Sequence, residues 1–117
     1  MPMKTHKHYC AGLVLAALLI PANWLSAADA QPLWDKHCAA CHGKDGKGET
    51  KMGRKAGAKD YTDPKVQATL KDAQAFQSVK EGLKEGDKER MKPFAEKLTD
   101  DEIKALIAYL KAFNKAP

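Results

Sequence analysis

The chain has 117 residues, with 20 Lys and Arg against 15 Asp and Glu and a net charge of +5. That length holds one small domain, and the 87 residues from Gln31 to Pro117 would have a marginal apolar core unaided. The charge excess is mild, and no basic motif interleaved with aromatic residues appears, so nucleic acid is not an expected partner.

Residues 1–30 read as a secretory leader that is cleaved. Lys4 and Lys7, with His6 and His8, form a basic start, and Ala11 to Ile20 form an apolar stretch. Ala28-Asp29-Ala30 offers a small-x-small cleavage site, and Ser26-Ala27-Ala28 offers a second. The apolar stretch falls short of the roughly 20 residues a membrane span needs, and Pro21 and Asn23 interrupt its end. No membrane span is therefore expected after cleavage. Cys10 follows Lys7-His8-Tyr9, unlike a lipid-attachment cysteine, and leaves with the leader. Cys38 and Cys41 then remain as a pair in an oxidising compartment. The expected location is the periplasm, or otherwise outside the cytoplasmic membrane, with residues 31–117 as a single domain.

The first helix is predicted from Gln31 to Cys41. Pro32 suits its first turn, Asp29 or Asp35 suits its positive end, and Trp34 shares a face with Cys38. At its end stands Cys38-Ala39-Ala40-Cys41-His42, the C-x-x-C-H pattern of c-type haem attachment. Two thiols separated by one helical turn reach the same edge of a porphyrin and form thioethers with its vinyl groups. The following His is the proximal iron ligand. A thioredoxin-like dithiol would follow a strand, and none is read before Cys38. A zinc site is disfavoured because His37, Cys38, Cys41 and His42 crowd too short a span for tetrahedral closure. A disulfide across so short a loop would be strained.

Gly43 to Pro64 reads as a long loop. Its glycines match neither a dinucleotide nor a P-loop fingerprint, and suit a chain folded closely around a flat cofactor. Lys44, Lys47, Lys51, Arg54, Lys55 and Lys59 make it basic, a candidate docking surface for acidic redox partner proteins. Tyr61 is a candidate either to hydrogen-bond a haem propionate or to cover the haem. A short helical segment opens at Asp63-Pro64 and runs to about Leu70. Another is predicted from Asp72, as its cap, to Leu83, with Phe76, Val79 and Leu83 on one stripe. No strand is predicted anywhere.

A second axial ligand must come from elsewhere. His37 adjoins the attachment cysteine and cannot reach the opposite haem face. Met91 precedes Lys92-Pro93-Phe94, where Pro93 stiffens the backbone, and is favoured over Met52, which reads as a gap-filling residue at the haem edge. Lys92 would first have to lose its proton. The last helix carries the clearest signature: Thr99-Asp100-Asp101-Glu102 is a capping box, Leu98 can staple to Ile103, and Ile103, Leu106, Ile107, Leu110 and Phe113 form one apolar stripe.

Taken together, Trp34, Cys38 to Gly43, Met91 to Phe94, Leu98 to Ile103 and Leu106 to Leu110 make the chain resemble the class I cytochromes c over nearly the whole domain. The resemblance implies an all-α fold of three to four helices wrapped around one covalently attached haem c. It also implies His42/Met91 ligation, a Trp34–Tyr109 contact between the first and last helices, and a periplasmic one-electron carrier that is not an enzyme. One departure stands out. Family members often place a proline carbonyl on the proximal His, and no proline lies between His42 and Pro64. A carbonyl between Gly53 and Ala58 is the candidate replacement. Two other functions remain: a haem subunit of a dehydrogenase complex, or an open-site sensor or peroxidase if Met91 does not bind iron.

Overall fold

The computed structural model describes residues 27–115. The basic and apolar parts of the predicted leader, with Cys10, lie outside the described residues. In chain order a 3-10 turn (Ala27–Ala30) leads into α1 (Gln31–His37), α2 (Ala39–His42), α3 (Lys51–Ala56), α4 (Pro64–Thr69) and α5 (Asp72–Glu81). Two strands, β1 (Leu83–Glu85) and β2 (Lys88–Met91), precede α6 (Asp100–Ala112) and a closing 3-10 turn (Phe113–Lys115). No described helix is long and apolar enough to cross a membrane.

The capping box forms as predicted. Glu102 N donates to Thr99 Oγ1 at 3.2 Å, and Thr99 N donates to Glu102 Oε2 at 2.8 Å. Leu98 and Ile103 flank this cap and are 5% and 0% exposed, as a hydrophobic staple requires. From there α6 buries Ile103, Ala105, Leu106 and Ile107 against the amino-terminal turn, α1 and α5. Trp34 and Ala30 complete this core, with Leu110 and Phe113 partly buried beside it. Ala30 is fully buried, so the packed unit begins upstream of residue 31. Exposed ion pairs, Lys80–Asp100 at 3.0 Å and Lys111–Asp72 at 2.7 Å, bind α5 to α6 and contribute little energy.

Several expectations are corrected. The predicted first helix is two pieces, broken at Cys38 (φ −118°), whose carbonyl accepts from both Cys41 N and His42 N. The supposed loop from Gly43 to Pro64 contains α3. Gly53 N donates to its cap, Thr50 Oγ1, at 2.8 Å, and Gly57 closes it in the left-handed region (φ 75°). The cap of α5 is Lys71 rather than Asp72, whose carboxylate instead accepts from Lys111 Nζ. That helix stops at Glu81, leaving Leu83 45% exposed on β1 instead of on the stripe of Phe76 and Val79. The fold is mostly helical but not all-α: β1 and β2 pair antiparallel around Gly86-Asp87, and there are six α-helical segments among the described residues against the three to four expected.

Candidate cofactor site

The C-x-x-C-H turn is held from two directions. From α1, Trp34 Nε1 donates to Gly43 O at 2.9 Å, fixing the residue after His42 to a ring that is 2% exposed. From α3, Thr50 Oγ1 donates to Ala40 O at 2.7 Å and to Cys41 O at 3.0 Å. The same hydroxyl accepts from Gly53 N, so one side chain closes α2 and opens α3. Gly53 lets the two segments meet, since a Cβ there would strike Cys41 O and Gly48 O. The glycines of this stretch thus serve contact with protein as well: a Cβ at Gly46 would press into the Phe113 ring at 2.6 Å. Thr50 was not singled out from sequence; its signal was a cap residue ahead of a helix-length run ended by Gly57.

Aromatic rings surround His42. Trp34 lies 5.7 Å and Tyr61 5.5 Å from its ring, centroid to centroid. Trp34 also meets Tyr109 at 5.6 Å and Phe113 at 5.2 Å, joining the first helix to the last. Tyr61 is anchored through its backbone: Tyr61 N donates to Gly46 O at 2.8 Å, and Gln67 Nε2 donates to Tyr61 O at 2.6 Å. Burial, and then the charge of Cys38, push its phenol pKa upward.

The electrostatics separate the chemistries open to this turn. Cys38 and Cys41 are free thiols, both half-buried. Burial, with Cys41 adding to it, pushes the Cys38 thiol up to about 11. A redox dithiol needs the opposite shift, toward thiolate. Burial lowers the His42 pKa, leaving a neutral imidazole, the form that binds a metal. His42 Nδ1 is the one buried side-chain polar atom among the described residues without a hydrogen-bond partner. The expected carbonyl between Gly53 and Ala58 is therefore not its acceptor; Gly53 O takes the Ala58 N–H instead. Among the described residues no group of three or more His, Cys, Asp or Glu is placed to hold a metal ion. Two unpaired thiols one turn apart, a neutral imidazole beside them and flanking aromatic rings fit haem c.

The remaining candidates lie on two other segments. Met91 ends β2 and is half-buried. A Cβ on Gly82 (φ 79°) would meet Met91 O at 2.6 Å, so the chain doubles back tightly there. Pro93 is exposed and Phe94 half-buried, with Phe94 N donating to Val79 O at 3.0 Å and its ring edge-on to His37 at 5.9 Å. Met52, on α3, is 58% exposed and packs in no part of the protein core. Lys44, Lys47, Lys51, Arg54, Lys55 and Lys59 are all exposed.

The family model described as cytochrome c oxidase, cbb3-type, subunit III matches residues 26–110. Among solved structures the chain is similar to the c-type cytochrome KustC0563, at 37% identity and a TM-score of 0.65, covering 72% of this chain and 95% of that one. It is equally similar to a Tyr-to-Phe variant of that protein, at 38% identity and a TM-score of 0.65, covering 73% of this chain and 98% of the other. No curated protein matches it.

Proposed function

The chain belongs to the small c-type cytochromes, and we propose that it is a periplasmic one-electron carrier, with no turnover of its own, that holds one haem c. Bound haem supplies reversible one-electron exchange at its iron. Cys38 and Cys41 would hold the haem through two thioethers, and His42 would give its imidazole to the iron. Met91 gives its sulfur from the other segment, a soft donor that favours the reduced state. Trp34 and Tyr61 hold the imidazole in place and exclude water beside it. Thr50 and Trp34 keep the attachment turn rigid, so little moves on electron transfer. The exposed lysines between Lys44 and Lys59 steer acidic redox partners, and the exchange rate falls as ionic strength rises.

The observation carrying this reading is the pair of unpaired thiols one turn apart beside a ring-flanked imidazole. Its test is the visible spectrum of the purified protein, matured where haem is attached. A c-type reduced spectrum, haem retained on a denaturing gel, and a weak far-red sulfur–ferric band are expected. The band should vanish in Met91→Ala and survive in Met52→Ala. A high-spin spectrum with carbon monoxide bound on reduction would replace the carrier by an open-site sensor or peroxidase. A native mass well above the monomer would point to a haem subunit of a larger enzyme.

A further inference from the structure

Arg90, the residue before Met91, sits at an irregular point of the hairpin. Leu83 pairs with Met91 and Lys84 with Glu89, so two residues on β2 span one step of β1 and Arg90 is the extra one. Such a bulge re-aims a side chain, and bulges cluster beside functional sites. Here the side chain turns two ways. Arg90 Nε donates to Glu85 Oε2 at 2.7 Å, and Nη2 closes on the same oxygen at 2.5 Å. Arg90 Nη1 donates to Lys55 O at 3.5 Å, a long contact that crosses from the hairpin to α3. The Arg90 side chain is 31% exposed, well below the 70% of Glu85.

These contacts form a connected path. Lys55 lies in α3, which meets Cys41 through Gly53 and ties to Cys41 O through Thr50. On the other end, Arg90 is bonded directly to Met91. The guanidinium therefore links the segment carrying the attachment turn to the segment carrying the candidate sulfur ligand, and Glu85 orients it. Other contacts fasten the chain on either side: Gly82 against Met91 O, and Phe94 N to Val79 O. Among the described residues, Arg90 makes the hydrogen bond between the hairpin and α3.

We propose that Arg90 is a positioning residue that clasps the Met91 strand to α3, and that losing it raises the fraction of molecules in which Met91 has left the iron, without unfolding the domain. This rests on Met91 being the sulfur ligand. An exposed pair acts weakly, so the open fraction should rise only about two- to fivefold. A ligand that binds only the open form gains apparent affinity by the same factor.

The test is imidazole titration of the ferric holoprotein, following loss of the far-red band, for the parent, Arg90→Gln, Glu85→Gln and Met91→Ala. Arg90→Gln should bind imidazole about two- to fivefold more tightly, and Glu85→Gln should shift the same way by less. The unfolding equilibrium constant of Arg90→Gln should rise by no more than the same two- to fivefold factor, since the contact is lost on unfolding as well. If Met91→Ala keeps the far-red band, the ligand assignment falls and this proposal with it. If Met91→Ala loses the band but Arg90→Gln binds imidazole as the parent does, the clasp alone is overturned. A loss of global stability far beyond that two- to fivefold factor would also overturn it, by making Arg90 a general stabiliser.

Discussion

Replacing Gly53 by Ala isolates the contact that joins α3 to the attachment turn. Gly53 has ordinary helical geometry, so the change should by itself favour α3 by about 1 kcal/mol. Against this, the new Cβ would strike Cys41 O, come within 2.6 Å of Gly48 O and within 3.0 Å of Thr50 Oγ1. Two of these are backbone oxygens, and their segments are already tied, Cys41 O by Thr50 at 3.0 Å and the Gly48 turn by Gly48 N to His42 O at 2.8 Å. No rotamer change relieves the clash, so the upper end of the overpacking range, about 3 kcal/mol, applies. The net is a loss of about 2 kcal/mol, or about 8–16 °C in melting temperature for a domain of this size. Far-UV circular dichroism melts of the holoprotein measure it. Gly57→Ala is the control: nothing lies within 4 Å of its Cβ, but its φ of 75° costs an L-residue about 1 kcal/mol. Because the Gly53 clash falls on Cys41, its haem spectrum should also change, whereas that of Gly57→Ala should not. A Gly53→Ala protein melting at or above the parent would refute the close approach.

Other outcomes follow from the same contacts. Thr99→Ala removes the capping box of α6 and should cost about 1 kcal/mol, read as a denaturant midpoint shift at constant slope. Lys51→Pro should stabilise by about 0.4–1 kcal/mol, since position 51 opens α3 and Thr50 before it is already extended (φ −95°, ψ 161°); a lower melting temperature would count against the assigned helix start. Asp60 accepts from Thr62 Oγ1 at 2.6 Å and Thr62 N at 2.8 Å, which hold its pKa below the ordinary value. A folded pKa below the unfolded one stabilises at neutral pH and loses that contribution as pH falls through the folded value. Stability curves of parent and Asp60→Asn should therefore differ near neutral pH and converge in acid. Because Ala30 is fully buried in the core, intact-mass analysis of the exported protein should find an amino terminus at or before Asp29, not at Gln31.

Legibility in the sequence followed how local each signal was. The capping box and its staple occupy six consecutive residues, Leu98 to Ile103, and read directly. The attachment motif read for the same reason. The first helix did not, because its break at Cys38 is a backbone adjustment (φ −118°) without a breaker residue. The Gly86-Asp87 pair is a recognised hairpin turn, with Gly86 at φ 61°. It was masked by Lys84, Glu85, Lys88 and Glu89, whose charges give no alternating pattern. Thr50 and Gly57 bracket α3, but five glycines between residues 43 and 57 made the segment look unstructured. The unpartnered His42 Nδ1 was foreshadowed by the missing proline, though its surroundings depend on chain segments brought together only by folding.

Trp34 touches His42, Tyr109 and Phe113 and bonds to Gly43 O, and it is the sole tryptophan among the described residues. The described residues therefore carry one indole fluorophore, set beside the proposed haem. Energy transfer to the porphyrin would keep it dark while the two stay close. Emission would appear when the first and last helices separate, or when export delivers protein without haem. A single optical channel would then report both maturation and unfolding, with no label attached.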